Sequence, residues 1–102
     1  MKENDLKNYL NKISIEGFSA LQNGNMVLAL KKFEIILSSH PNHPKILSLA
    51  SLCYYNLNKF EKAEEYISKA ITNSPNEIGF HINKGNILKQ IKKYDEAKKV
   101  YK

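Results

Sequence analysis

Asn58-Lys59-Phe60-Glu61-Lys62-Ala63 decides the fold, because related stretches recur 34 residues before and after it. Ala29, Ala63 and Ala97 stand at one place in this period. Small residues recur at one position before these alanines, and bulky residues recur at two further positions, each with the same spacing of 34 residues. The small set is Gly17, Ser51 and Gly85; the bulky sets are Met26, Phe60 and Tyr94, and Phe33, Ile67 and Tyr101. A fixed period of about 20–50 residues is the signature of a repeat protein.

Each unit of the period is predicted to form two amphipathic helices, and no alternating strand pattern interrupts them. A turn is predicted at Asn23-Gly24-Asn25, since Gly and Asn tolerate positive φ. The later units repeat this plan, with turns predicted at 57–59 and at Lys92-Lys93. Prolines end the first two units. The predicted helices run from an N-cap at Asn4 or Asp5 to Gln22, then over 26–38, 45–56, 60–72 and 78–90, and again from Tyr94.

The small residues predict how the two helices of a unit pack. Gly17, Ser51 and Gly85 are expected where the first helix meets the second, with the alanines facing them, because larger side chains would separate the axes. Phe33, Ile67 and Tyr101 lie one helical turn after the alanines. They are expected to fill the space between layers.

These residues together resemble the tetratricopeptide repeat (TPR). The stretch from Asn58 to Ala63, followed by Ile67, Ala70 and Pro75, is similar to the second helix of that family, and Asn83-Lys84-Gly85-Asn86-Ile87-Leu88 is similar to its first. The family's tryptophan position holds Ile13, Leu47 and His81, and its tyrosine position holds Ala20, Tyr54 and Leu88. The resemblance implies an all-α, right-handed α-solenoid forming one domain over 1–102. Its units lie at 10–43, 44–77 and 78–102, the last incomplete.

The resemblance also implies a function. In proteins of this kind the first helices line a concave groove that binds an extended peptide or a partner helix. We therefore expect a non-catalytic scaffold whose groove carries an apolar strip at one end and a polar surface at the other. The expected partner-binding residues are Ile15, Phe18, Leu49, Leu52 and Tyr55 in the strip, then Asn83, Asn86 and Lys89. The alternative is that the N-terminal segment or a neighbouring subunit covers the strip.

One subtype of the family is excluded on chemical grounds. Repeats that bind chaperone C-terminal tails hold the carboxylates with a clamp of Lys, Asn and Arg. The corresponding positions here are Ser14, Phe18, Leu49, Gly79 and Asn83. Most of the cationic donors that paired carboxylates require are therefore absent.

No pattern in the sequence predicts catalysis, a cofactor or a metal. His40 and His43 flank Pro41 in a turn instead of sharing a helical face, and zinc needs three or four ligands. Cys53 has no partner suited to an activated nucleophile. The glycines are scattered, so no phosphate-binding loop is expected.

The charge of the chain is unevenly distributed. The net charge is +6, and residues 78–102 contribute +5 of it through seven Lys against two acids. All sixteen cationic residues are Lys. Because Arg supplies the planar fork used for phosphate and guanine contacts, no nucleic-acid partner is expected.

The expected location is the cytoplasm. No apolar run is long enough to span a bilayer. The charged stretch from Met1 to Tyr9 lacks the apolar core of a secretory signal. A lone cysteine fits a reducing compartment.

Two further readings follow from the incomplete third unit. The sequence given stops at Lys102, which leaves Val100 and Tyr101 beside an open layer. Repeat arrays need polar terminal caps, so the last helix is expected to self-associate or to be followed by more sequence. The alternative function is an N-terminal array of a larger enzyme, such as a glycosyltransferase or sulfotransferase, that presents the protein substrate. A small secretion or assembly chaperone would share the same groove.

Overall fold

The computed structural model describes residues 2–100, the last of them through its backbone only. Within this part of the chain the fold is five helices and no strand, which confirms the all-α solenoid. Each helix packs on the next one along the chain. The helices are α1 (Glu3–Gln22), α2 (Met26–Ser39), α3 (Pro44–Asn56), α4 (Phe60–Asn73) and α5 (Ile78–Val100).

The helix ends follow local capping chemistry. Gly24 takes φ 77° in the α1–α2 turn, and the Asn25 side chain accepts a hydrogen bond from Leu28 N at 3.2 Å. The predicted N-cap at Asn4 or Asp5 is wrong, since α1 already begins at Glu3. The carboxylates of Glu3 and Asp5 lie in the first turn of α1, where they interact favourably with the positive end of the helix dipole. The helix ends predicted at 38, 45 and 72 each differ by one residue from those observed.

Close contact between paired helices is confirmed in the first two units. Ala29, Ala63, Phe33 and Ile67 are fully buried, and Gly17 lies against the Phe33 ring. A Cβ at position 17 would stand 2.7 Å from Phe33 Cε1. In the second unit the buried Ser51 hydroxyl donates to Ala63 O at 2.7 Å, which ties α3 to α4.

The predicted turn at Lys92-Lys93 is wrong, because α5 continues without interruption through these residues. The corresponding residues of the earlier turns are Gly24, with φ 77°, and Asn58, with φ 61°. Lys92 stands 34 residues after Asn58. A residue with a long side chain pays roughly 1–2 kcal/mol for the left-handed conformation, which Gly adopts freely and Asn tolerates. The helical conformation therefore persists at Lys92.

The continuous α5 leaves the third unit open. Gly85 and Ala97 were expected to face each other; both are exposed, and no atom of another helix lies within 4 Å of the place that a Cβ at position 85 would take. Leu88 is 44% exposed, whereas its counterpart Ala20 is 5% exposed. Tyr94 packs on Phe60 instead, with ring centroids 5.3 Å apart. Tyr101 and Lys102 lie outside the described residues, as does the Val100 side chain.

The two glycines give a matched stability test. We expect Gly17→Ala to lower the free energy of unfolding by about 1–2 kcal/mol, because displacing the buried Phe33 costs more than the helix gains from losing a glycine. Gly85→Ala meets open space and should raise stability by up to about 1 kcal/mol. Urea unfolding followed by circular dichroism measures both. Equal effects of the two substitutions would contradict the packing described for α1 and α2.

Candidate partner-binding groove

A small cavity lies between α3 and α5 on the surface formed by the first helices of the units. Its volume is about 100 Å³. It brings together four of the predicted residues, Leu52 and Tyr55 from α3 with Asn83 and Asn86 from α5. Ser48, Ser51 and Ile87 complete the lining. We call this surface the α3–α5 groove.

Aromatic contacts from three helices fix one wall of the α3–α5 groove. The Tyr55 ring meets Phe60 edge-on, with centroids 5.6 Å apart, and Phe60 in turn contacts Tyr94. Such edge contacts between rings add stability beyond the buried area. Tyr55 therefore reaches the groove as a positioned side chain, half-buried against α4. Leu52 beside it is 40% exposed and offers its side chain to a partner.

The apolar strip predicted from α1 is less continuous than expected. Phe18 is half-buried against Phe33, with centroids 6.0 Å apart, and Lys45 Nζ stands 5.5 Å from the Phe18 centroid. Leu49 packs against the core cluster. Ile15, 69% exposed, lines a different cavity along the α1–α2 edge. Lys89 is exposed on α5, outside the cavity lining.

Sequence reasoning did not predict a second, larger cavity. It measures about 520 Å³ and lies between the N-terminal half of α1 and the α2–α3 turn. The part of α1 that precedes residue 10, where the first unit begins, forms one wall of this cavity. In the sequence, the spacing of Leu6 and Leu10, one helical turn apart, could have indicated this apolar wall. The lining residues are Glu3, Leu6, Lys7, Leu10, Asn11, Ser14, Ile36, His40, His43 and Ile46.

Two of the three histidine side chains, those of His43 and His81, have hydrogen-bond partners. His43 Nδ1 accepts from Ile46 N at 3.4 Å, so His43 caps α3. His81 Nε2 lies 2.7 Å from Pro75 O and donates to that carbonyl oxygen. Among the described residues, no three His, Cys, Asp or Glu side chains are placed to hold a metal ion.

Desolvation raises the pKa of two side chains, the buried Cys53 and the half-buried Tyr66. Desolvation raises the pKa of the Cys53 thiol to about 11. Burial, followed by hydrogen bonding to Glu34, raises the pKa of Tyr66, which lies on the α4 side away from the groove. Both groups therefore stay protonated at neutral pH and offer no anionic nucleophile.

No helix between residues 2 and 100 combines the length and apolar character that a membrane span requires.

Comparison with known proteins identifies the family and the fold. The family model described as anaphase-promoting complex, cyclosome, subunit 3 matches residues 22–102. No curated protein matches the chain in sequence.

Several solved structures share the fold. A variant of the O-GlcNAc transferase of Thermobaculum terrenum superposes with a TM-score of 0.77 at 20% identity, over 86% of this chain and 17% of that one. A MamA variant gives 0.77 at 19% identity, over 87% and 65%. A TPR-repeat protein of Bacteroides fragilis gives 0.69 at 25% identity, over 85% and 39%. The chain thus spans less than two thirds of each of these proteins.

The buried thiol gives a test of the packing behind the groove. With a pKa of about 11, Cys53 is roughly 0.1% ionised at pH 8, against about a quarter in an unfolded chain. We expect iodoacetamide to label native Cys53 at least about 100-fold more slowly than the urea-unfolded protein. Asn76→Cys supplies an exposed thiol as the control. Because the thiol pKa is higher in the folded state, stability should also fall as the pH rises above about 9. Rapid labelling of the native protein would contradict the burial of Cys53.

Proposed function

Because the chain belongs to the family described as anaphase-promoting complex, cyclosome, subunit 3 and folds as a TPR solenoid, we propose that it is a non-catalytic scaffold that binds a protein partner in the α3–α5 groove. The observation that carries the proposal is the pairing of Leu52 and Tyr55 on one side with two asparagine amides on the other.

The two sides of the groove suit different parts of a peptide. A partner's apolar side chain entering beside Leu52 and Tyr55 would leave water, which is the main source of affinity at a small anchor site. Asn83 and Asn86 each offer a donor and an acceptor, which is what a peptide group needs. The side-chain hydrogen bonds found within residues 2–99 involve other asparagines, Asn25, Asn56 and Asn73. The groove amides are therefore available to a partner.

A scaffold role is also supported by the state of the ionisable groups near the groove. The thiol of Cys53, on the groove helix α3, is buried and protonated. The cytoplasm remains our proposed location, supported by this single free cysteine.

The alternative function, an N-terminal repeat array of a larger enzyme, remains an expectation from the sequence. The likeness to the O-GlcNAc transferase of Thermobaculum terrenum, at 20% identity, is a likeness of fold. That fold serves many unrelated functions, so the likeness does not favour an enzymatic context over a free scaffold.

A second copy of this chain is a further proposed partner, at the open face of α5 that adjoins the groove. The face of α5 left open by the third unit exposes Ile78 by 73%, Ile82 by 57% and Leu88 by 44%. In the first unit the residues at the positions of His81 and Leu88 are Ile13 and Ala20, which are buried. An exposed apolar face of this kind is typical of an interaction surface.

Leu52→Ala tests the proposed groove, and Leu28→Ala is its matched control. Both leucines are 40% exposed, but Leu28 lies on α2 in the cavity with Ile15. We expect Leu52→Ala to weaken partner binding by about 1–3 kcal/mol, as removal of a central anchor does. Leu28→Ala should leave it unchanged. Affinity capture from the source cells identifies a partner, and calorimetry then measures its Kd for each variant.

The opposite ranking, with Leu28→Ala weakening binding and Leu52→Ala having no effect, would contradict the proposal. Unfolding curves of both variants confirm that the fold is retained.

A further inference from the structure

Acidic residues are absent from α3 and from the part of α5 that lines the α3–α5 groove, whereas Asp95 and Glu96 lie further along α5. Helix α3 contains no Asp or Glu, and α5 contains none between Ile78 and Tyr94. By contrast, α4 carries Glu61, Glu64 and Glu65. None of the seven residues lining the groove cavity is acidic. The surface that would receive a partner therefore lacks the carboxylates that would repel an anionic one.

Lysines stand at both ends of the same surface. Lys89 and Lys93 follow Asn86 by one and two helical turns, so they continue the row of groove amides along α5. Both side chains are exposed. At the other end, Lys45 begins α3 and holds its Nζ over the Phe18 ring.

The ion pairs found among residues 2–99 lie elsewhere. Lys32 pairs with Glu16 at 3.7 Å, and Lys62 pairs with Glu65 at 3.5 Å. Both pairs involve lysines on second helices, α2 and α4. Neither of these ion pairs involves Lys45, Lys89 or Lys93, so the charges of these three lysines are available to an incoming partner.

We propose that the α3–α5 groove binds an extended, acidic segment of a partner protein. One aliphatic side chain of the segment enters the cavity between Leu52 and Tyr55. Carboxylates of the segment meet Lys89 and Lys93 on one side of that anchor. This inference rests on the proposed function, since it specifies the partner of the same groove.

The size of the cavity and the chemistry of its rim favour an extended segment over a helix. At about 100 Å³ the cavity suits a single side chain and is well below the roughly 300–1,000 Å³ of small-molecule sites. The peptide groups of a helix already pair with one another, whereas those of an extended segment are free. Only the extended form gives Asn83 and Asn86 backbone partners.

Three synthetic peptides test the proposal directly. In each, leucine alternates with one other residue: glutamate, glutamine or lysine. A length of about nine residues spans about 30 Å, enough to cross the solenoid. Nitrogen-15 spectra of the full chain locate each peptide, and titration gives its Kd. We expect the glutamate peptide to shift the amide signals of α3 and α5 and to bind at least about tenfold more tightly than the glutamine peptide. Added salt should shrink this difference.

A pair of charge reversals supplies the matched variants. Lys89→Glu lies on the groove side, and Lys69→Glu makes the same change of net charge on α4. We expect Lys89→Glu to weaken binding of the glutamate peptide about tenfold and Lys69→Glu to change it less than twofold. Equal effects of both variants would show that only net charge matters and would overturn the proposal.

The outcomes separate this inference from the proposed function. If the glutamine peptide binds α3 and α5 as tightly as the glutamate peptide, the acidic preference is wrong and the groove remains a binding site. If no peptide shifts these signals, both fail. A single-stranded DNA oligonucleotide that shifts the groove signals while the glutamate peptide does not would overturn the acidic-peptide proposal in favour of nucleic acid.

Discussion

The close approach of paired helices at one small residue in each of the first two units is the constraint on which the structure depends. Gly17 lets the Phe33 ring reach the backbone of α1, and Ser51 reaches Ala63 O across the same junction. Helix pairs that meet at the same position in both of these units stack in register. The first helices then lie in a row, which places Leu52 and Tyr55 opposite Asn83 and Asn86. The candidate groove is thus a consequence of the helix packing, and Ser51 takes part in both the junction and the groove lining.

The third unit shows that the groove does not require every junction to form. Helix α5 packs on α4, with Ile87 buried and Tyr94 against Phe60, and Asn83 and Asn86 line the groove together with residues of α3. Because Lys92 keeps the helical conformation, the chain runs on past the solenoid. Tyr94 then packs on Phe60, and Phe60 in turn packs on Tyr55 in the groove wall. The same continuation extends the row of groove amides with Lys93, and it exposes the face around Gly85.

The sequence predicted the repeats, four of the five helices to within about two residues, and the core positions of the first two units, because these follow from periodicity and packing volume. The period also predicted a turn at Lys92, where it failed. The repeat register shows which residues of the three units correspond to one another. Whether a turn forms there depends on whether the residue at that position can adopt positive φ. Leu52 and Asn86 were predicted because the resemblance to the TPR family places them on the groove side of the first helices. The cavity beside Leu6 was not, since it depends on the three-dimensional position of the α2–α3 turn.

The most direct test is the distance between residues 82 and 96 at the two ends of α5. Spin labels on Ile82→Cys and Glu96→Cys, in a Cys53→Ser background, allow it to be measured by double electron–electron resonance. A continuous helix places these backbones about 21 Å apart, from 1.5 Å of rise per residue. A helix that turned back at Lys92 would bring them to about 10 Å, the usual separation of packed helices. The longer distance is the result expected here, and the shorter one would contradict an open third unit.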